Sequence, residues 1–149
     1  MQTREDPAAI KQYLLDSVKP LIPDLSAYEA FYLMVLPKFD VQREMFITKF
    51  DELFGGRLNG RCYTTKQTYH AKTVVPWEKE LFISFGYENK LFGQERLDIP
   101  LPENCDWGAM VAIAYYVIGH IQSMFPPWFK EHADEYAAFQ RRVFENKDA

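Results

Sequence analysis

The chain changes rhythm twice. Up to Gly55-Gly56 its apolar residues recur every three or four positions, from Leu58 they recur every two, and near Asn104 the longer period returns. Helices repeat near 3.6 residues and strands at two, so the pattern predicts a pleated middle flanked by helical segments.

Asp6-Pro7 has the form of a cap followed by proline at the first helical position. Ile10, Tyr13, Leu14 and Val18 continue that helix until Pro20 ends it. Ser26-Ala27-Tyr28-Glu29 resembles a capping box, and Tyr28, Phe31, Tyr32 and Val35 predict a short second helix closed by Pro37. Its aromatic and β-branched content also suits a strand. Asp40 is expected to cap a third helix. Its stripe is Met45, Phe46, Phe50, Leu53 and Phe54, and Gly55-Gly56 ends it because glycine readily adopts helix-terminating angles.

In the middle, Arg61–Thr65, Thr68–Val75, Leu81–Tyr87 and Lys90–Asp98 read as strands. Glu88-Asn89-Lys90 reads as a hairpin turn, and the short links favour antiparallel neighbours. Asn104 or Asp106 then starts an apolar helix carrying Met110, Val111, Ala114, Tyr115, Val117, Ile118 and Ile121, which belongs at the centre of the domain. Pro126-Pro127 breaks it, and a final helix is expected from Trp128 to about Glu145. The expected fold is one α+β domain spanning residues 1–149. Its small antiparallel sheet, of three or four strands at about 60–98, packs with N-terminal helices and two C-terminal helices.

Composition narrows the class. An aromatic share of 16% can fill a core without disulfides. Cys62 and Cys105, with no CxxC, read as buried thiols of a reducing compartment, so a cytoplasmic location is expected. The polar start, Met1 to Pro7, lacks the apolar stretch of a secretion signal. Trp107 to Met124 is interrupted by His120, Gln122 and Ser123, so a core helix is expected there and no membrane partner. A net charge of −4 disfavours strong nucleic-acid binding, and the acidic residues are too scattered to imitate a phosphate backbone.

No GxGxxG, P-loop, GxSxG or HExxH motif is present. His132 and Glu135 share a helical face but lack further ligands, and Cys62 with His70 would be a nucleophile and base without an orienting third group. Asp98, Glu103 and Asp106 suit cap and turn roles. No catalytic residue, metal site or cofactor is therefore expected. One stretch departs from the average: between Arg57 and Thr73 every ionised side chain is basic, namely Arg57, Arg61, Lys66 and Lys72, interleaved with Tyr63, Tyr69 and His70. In a continuous strand Lys66, Thr68, His70 and Lys72 would share a face. Arg57, Arg61, Lys66, Tyr69, His70 and Lys72 are the candidate partner-binding residues, suited to an acidic partner or to phosphates; the alternative is a solvated outer face whose charged edge strands discourage aggregation. Trp77 and Trp128, each beside a proline, suit either a recognition patch or packing at the domain rim.

Leu36-Pro37, the Leu53-Phe54-Gly55-Gly56 helix end and Tyr63-Thr64 follow one another in an order that resembles the ArdB/KlcA-type antirestriction proteins, with Asp106–Ile121 and Ala133–Phe144 similar to that family's later helices. The family's Asn-Gly-Gly is replaced by Lys66-Gln67-Thr68, and the helix before Leu36 is additional. The resemblance implies a non-enzymatic protein of a mobile element that opposes a restriction enzyme without mimicking DNA. The expected function is thus a non-catalytic protein-binding module. The alternatives are a toxin-neutralising immunity-type protein, or a ligand-binding domain or small enzyme with a pocket at the 107–124 helix near Tyr115, Tyr116 or His120.

Overall fold

Ala30–Val35 is buried at all six positions and forms the central strand, β1. The other strands are β2 (Asn59–Thr64), β3 (Glu80–Phe85) and β4 (Glu95–Ile99). They form one sheet in the order β2-β1-β3-β4, and every neighbouring pair is parallel. The helices are α1 (Pro7–Tyr13), α2 (Arg43–Phe54), α3 (Thr65–Thr68), α4 (Trp107–Ser123), α5 (Trp128–Glu131) and α6 (Ala133–Glu145). This computed structural model describes residues 5–70, 73, 75–126 and 128–146.

The architecture is α/β, which corrects the expected antiparallel α+β sheet. Strand parity explains the layers. Phe31, Leu33 and Val35 of β1 and Leu81, Ile83 and Phe85 of β3 join Phe46 and Phe50 of α2 and Met110, Ile113 and Val117 of α4 in the main core. Tyr32, Met34 and Phe82 point the other way, under Tyr63, Tyr87 and Phe92. The first face is the helical face. The second is the crossover face, because the β2–β3 and β3–β4 links pass over it.

That division follows from chain order. β2 lies on one side of β1, and β3 and β4 on the other. Crossovers of the same hand that run in opposite directions must use opposite faces of a sheet. The β1–β2 connection takes the helical face through α2. The β2–β3 connection takes the other face, where Thr68 of α3 accepts the Tyr32 hydroxyl at 3.2 Å.

Several local expectations need correction. The segment Ser26–Val35 is not a helix: the Ser26 amide donates to Asp24 in a turn, and β1 follows. Residues 68–70 do not begin a strand, because Thr64 and Gln67 form a reciprocal capping box that starts α3. The remainder of that expected strand includes residues 71, 72 and 74, which lie outside the described residues. Lys90–Asp98 is extended only from Glu95. Glu88-Asn89-Lys90 is not a hairpin turn: the Asn89 side chain accepts from the Leu91 and Phe92 amides and donates to the Phe92 carbonyl. The strap it builds returns to the starting end of β3, so that β4 pairs Leu81 with Glu95 and Phe85 with Ile99. Gly93 permits the return. Its φ is +73°, and a Cβ there would lie 2.2 Å from the Phe82 ring.

The helical thirds match better. α1 runs on through a π turn at Leu14–Val18 into a 3₁₀ turn, Lys19–Leu21, that holds Pro20. A 3₁₀ turn at Pro37–Gln42 leads into α2, so Asp40 pairs with Arg43 instead of capping. α4 lies on the helical face, its first amides held by Asp106 and by a Glu5 carboxylate that accepts from Asp106 and Ala109. Among the described residues no helix is long and apolar enough to cross a membrane. The expected last helix is divided into α5 and α6.

Candidate functional site

Open parallel sheets commonly take ligands beyond the carboxyl ends of their strands, where the chain direction reverses. Here that place is between β1 and β3, whose successors leave to opposite sides. Part of it is filled by side chains. A Cβ on Gly86, just after β3, would lie 2.8 Å from Leu101 and 3.3 Å from Leu36. Two leucines therefore plug its β3 side.

Beside the plug an open depression of about 340 Å³ is lined by Gly86, Tyr87, Glu88, Asp98 and residues 99–101. Asp98 is already engaged: it accepts from the Asn89 amide at 3.2 Å and from the Ser84 hydroxyl. It anchors the strap that carries Asn89. No histidine completes the Ser84–Asp98 pair in these hydrogen bonds, so the arrangement lacks the base of a nucleophilic triad.

The other chemistry considered from sequence is separated by the sheet. Cys62 points to the helical face and is buried. His70 follows α3, over the crossover face, and is exposed. Burial pushes the Cys62 thiol up to about 12, against the pull of Arg43, and the Cys105 thiol up to about 11. Neither is poised to form a thiolate nucleophile at neutral pH. His132 stacks on Trp128 with ring centroids 4.7 Å apart, and its Nδ1 lies 2.9 Å from the Trp128 carbonyl. Among the described residues no group of three or more His, Cys, Asp or Glu could hold a metal ion. Tyr115 packs edge-on against Phe46, and Tyr116 against His120.

The six partner-binding candidates do not share one face. Arg57 lies after α2, with its guanidinium 5.4 Å from the Trp128 ring, in a niche of about 170 Å³ with Leu53, Phe54 and Phe125. Arg61 belongs to the crossover face but turns inward: it pairs with buried Glu80 and stacks 4.9 Å from the Tyr32 ring. Ala30, opposite Glu80 in register, leaves the space for that reach across β1. Lys66, Tyr69 and His70 are exposed on α3 and the turn after it. Lys72 lies outside the described residues. The expected strand parity of Lys66, Thr68 and His70 does not hold, because Thr68 is buried inside a helical turn.

The structure adds residues that the sequence reading missed. Tyr69 is 59% exposed, yet its ring meets Phe92 edge-on at 4.9 Å and its hydroxyl lies 3.3 Å from that of Tyr87. Leu91, beside Phe92, is 66% exposed. Two separate crossovers thus meet at Tyr69, Tyr87 and Phe92 beside the Tyr32–Phe82 cluster, and each leaves an apolar or aromatic side chain exposed, Tyr69 on one and Leu91 on the other. The missed signal was the apolar pair Leu91-Phe92, two and three residues after a turn-forming Asn89. Trp77 and Val75, further along the β2–β3 link, are also exposed.

No protein-family model matches the chain, and no curated protein matches it.

Proposed function

We propose that this protein is a non-catalytic binding module that docks another protein through its crossover layer, centred on Tyr69 and Leu91 with Lys66 and His70 at the margin. The supporting observation is the contrast at the sheet's carboxyl edge. The position where such sheets take small ligands is plugged on its β3 side by Leu36 and Leu101, while Tyr69 and Leu91 of the crossover layer are exposed. Exposed tyrosine and leucine beside a preformed base suit protein recognition, because little side-chain freedom is lost on contact. Lys66 favours a partner with acidic groups opposite it.

The narrower reading, opposition to a restriction enzyme, rests on the order of Leu36-Pro37, Gly55-Gly56 and Tyr63-Thr64. These segments are successive parts of the β1–α2–β2 unit. It is tested by plating unmodified phage on a host carrying a type I restriction system, with and without this chain. Rescue of plating supports it, and unchanged restriction rejects it.

The broader reading is tested by quantitative affinity capture from the native host with wild type, Tyr69→Asp/Leu91→Asp and Arg57→Glu. The expected result is a protein captured by wild type and Arg57→Glu but lost with the double variant. Equal capture by the double variant would remove the crossover layer from the interface.

A further inference from the structure

α6 is amphipathic but buries no side chain. Tyr136, Phe139 and Val143 follow at helical spacing, so they form one stripe. Phe139 is 54% exposed and Val143 38%. Such a stripe normally faces a core. Here it borders a shallow concavity of about 580 Å³ between Phe139, Arg142, Val143 and Asn146.

The charges beside the stripe are ordered. Glu135 and Arg142 stand seven positions apart and so lie on one flank of the stripe, whereas Asp134 and Arg141 lie on the face away from it. In this flanking pair the acid is in the first half of the helix and the base in the second. We propose that α6 is a self-association surface on which a second copy of this chain lies antiparallel. In that orientation Glu135 of one copy opposes Arg142 of the other, and two-fold symmetry repeats the pair. Tyr136 then meets Val143, Phe139 lies near the axis, and the two helix dipoles oppose favourably. A parallel copy would set acidic half beside acidic half. A lipid surface fits less well, since interfacial helices carry a cationic polar face and this one mixes Asp134, Glu135 and Glu145 with its two arginines. A 13-residue helix offers less than the ~800 Å² per partner of a standard interface, so association in the micromolar range is expected.

The surface shares no residue with the crossover layer, and the two proposals stand independently. The test is sedimentation velocity over a concentration series, with circular dichroism to confirm that each variant folds. Wild type should dimerise with rising concentration, and Phe139→Glu should remain monomeric. Glu135→Arg and Arg142→Glu should each weaken self-association by about tenfold or more through two like-charge contacts. Mixing those two single variants should restore dimers, because both contacts then pair opposite charges. A wild type that stays monomeric throughout would overturn the proposal. Dimers without rescue on mixing would overturn the antiparallel arrangement, and binding of monomers to anionic vesicles would reassign the stripe to lipid.

Discussion

The helical face of the sheet is closed by apolar side chains of α2 and α4, whereas the crossover face is closed by hydrogen-bonded straps laid over three stacked or tilted rings. Tyr32 lies 4.5 Å from Phe82 and 5.5 Å from Tyr63, with the Arg61–Glu80 pair across it and the Asn89 turn above. The first face depends on volume, which many side chains can supply. The second depends on particular groups in particular places, and leaves Tyr69 and Leu91 outside. The difference separates the part of the molecule that fixes the fold from the part available for contact.

The largest effects should come from the helical face. Phe31→Ala should cost about 3–5 kcal/mol and Ile83→Ala about 2–5 kcal/mol, each a large share of the stability of such a domain. Urea unfolding monitored by tryptophan fluorescence would measure both. Losses below about 1 kcal/mol would contradict the packing described.

Next comes the polar pair of the other face. Arg61→Ala leaves the Glu80 carboxylate buried without its guanidinium, at an expected cost of about 1–3 kcal/mol, reduced by the partial exposure of Arg61. Glu80→Gln in the same chain should recover part of that loss. A double-mutant cycle with no coupling would show that the pair does not hold the face.

A graded effect is expected in alkali, and it involves both faces. Burial raises the Cys62 thiol from 9.0 to about 12 and the Tyr32 hydroxyl from 10.0 to about 12. The folded state therefore holds these protons more tightly than the unfolded chain. Their contribution is complete below pH 9; that of Cys62 is lost as pH rises from 9 towards 12, and that of Tyr32 as it rises from 10 towards 12. Tm against pH should fall more gently in Cys62→Ala and in Tyr32→Phe. Unchanged slopes would mean that these groups are hydrated. The smallest effect belongs to the outward residues: Tyr69→Ser and Leu91→Ser should each shift stability by no more than about 0.5 kcal/mol.

Much of the helical layer could be read from residue order. Phe46, Phe50 and Phe54 at helical spacing marked α2, and Met110 to Ile121 marked the central α4. β3 was visible because Leu81, Ile83 and Phe85 alternate with Phe82 and Ser84. β1 was misread for the same reason that makes it central: both of its sides are covered, so Phe31 to Val35 show no polar alternation. Parallel pairing was hidden by link length. A parallel crossover ordinarily needs about a dozen residues or more, usually with a helix. The shorter 86–94 strap manages it through the Asn89 side chain and Gly93. The candidate surface was legible only at Tyr69, His70 and Lys66, since Leu91 and Phe92 arrive from a crossover whose sequence suggests a hairpin.

The crossover layer exists only if β3 and β4 run in the same direction. Backbone nuclear Overhauser contacts between these strands test that directly. Contacts joining Leu81 to Glu95, Ile83 to Leu97 and Phe85 to Ile99, at constant sequence separation, are the expected result. Contacts whose separation shrinks towards Asn89, as in a hairpin, would contradict it and remove the surface on which Tyr69 meets Phe92.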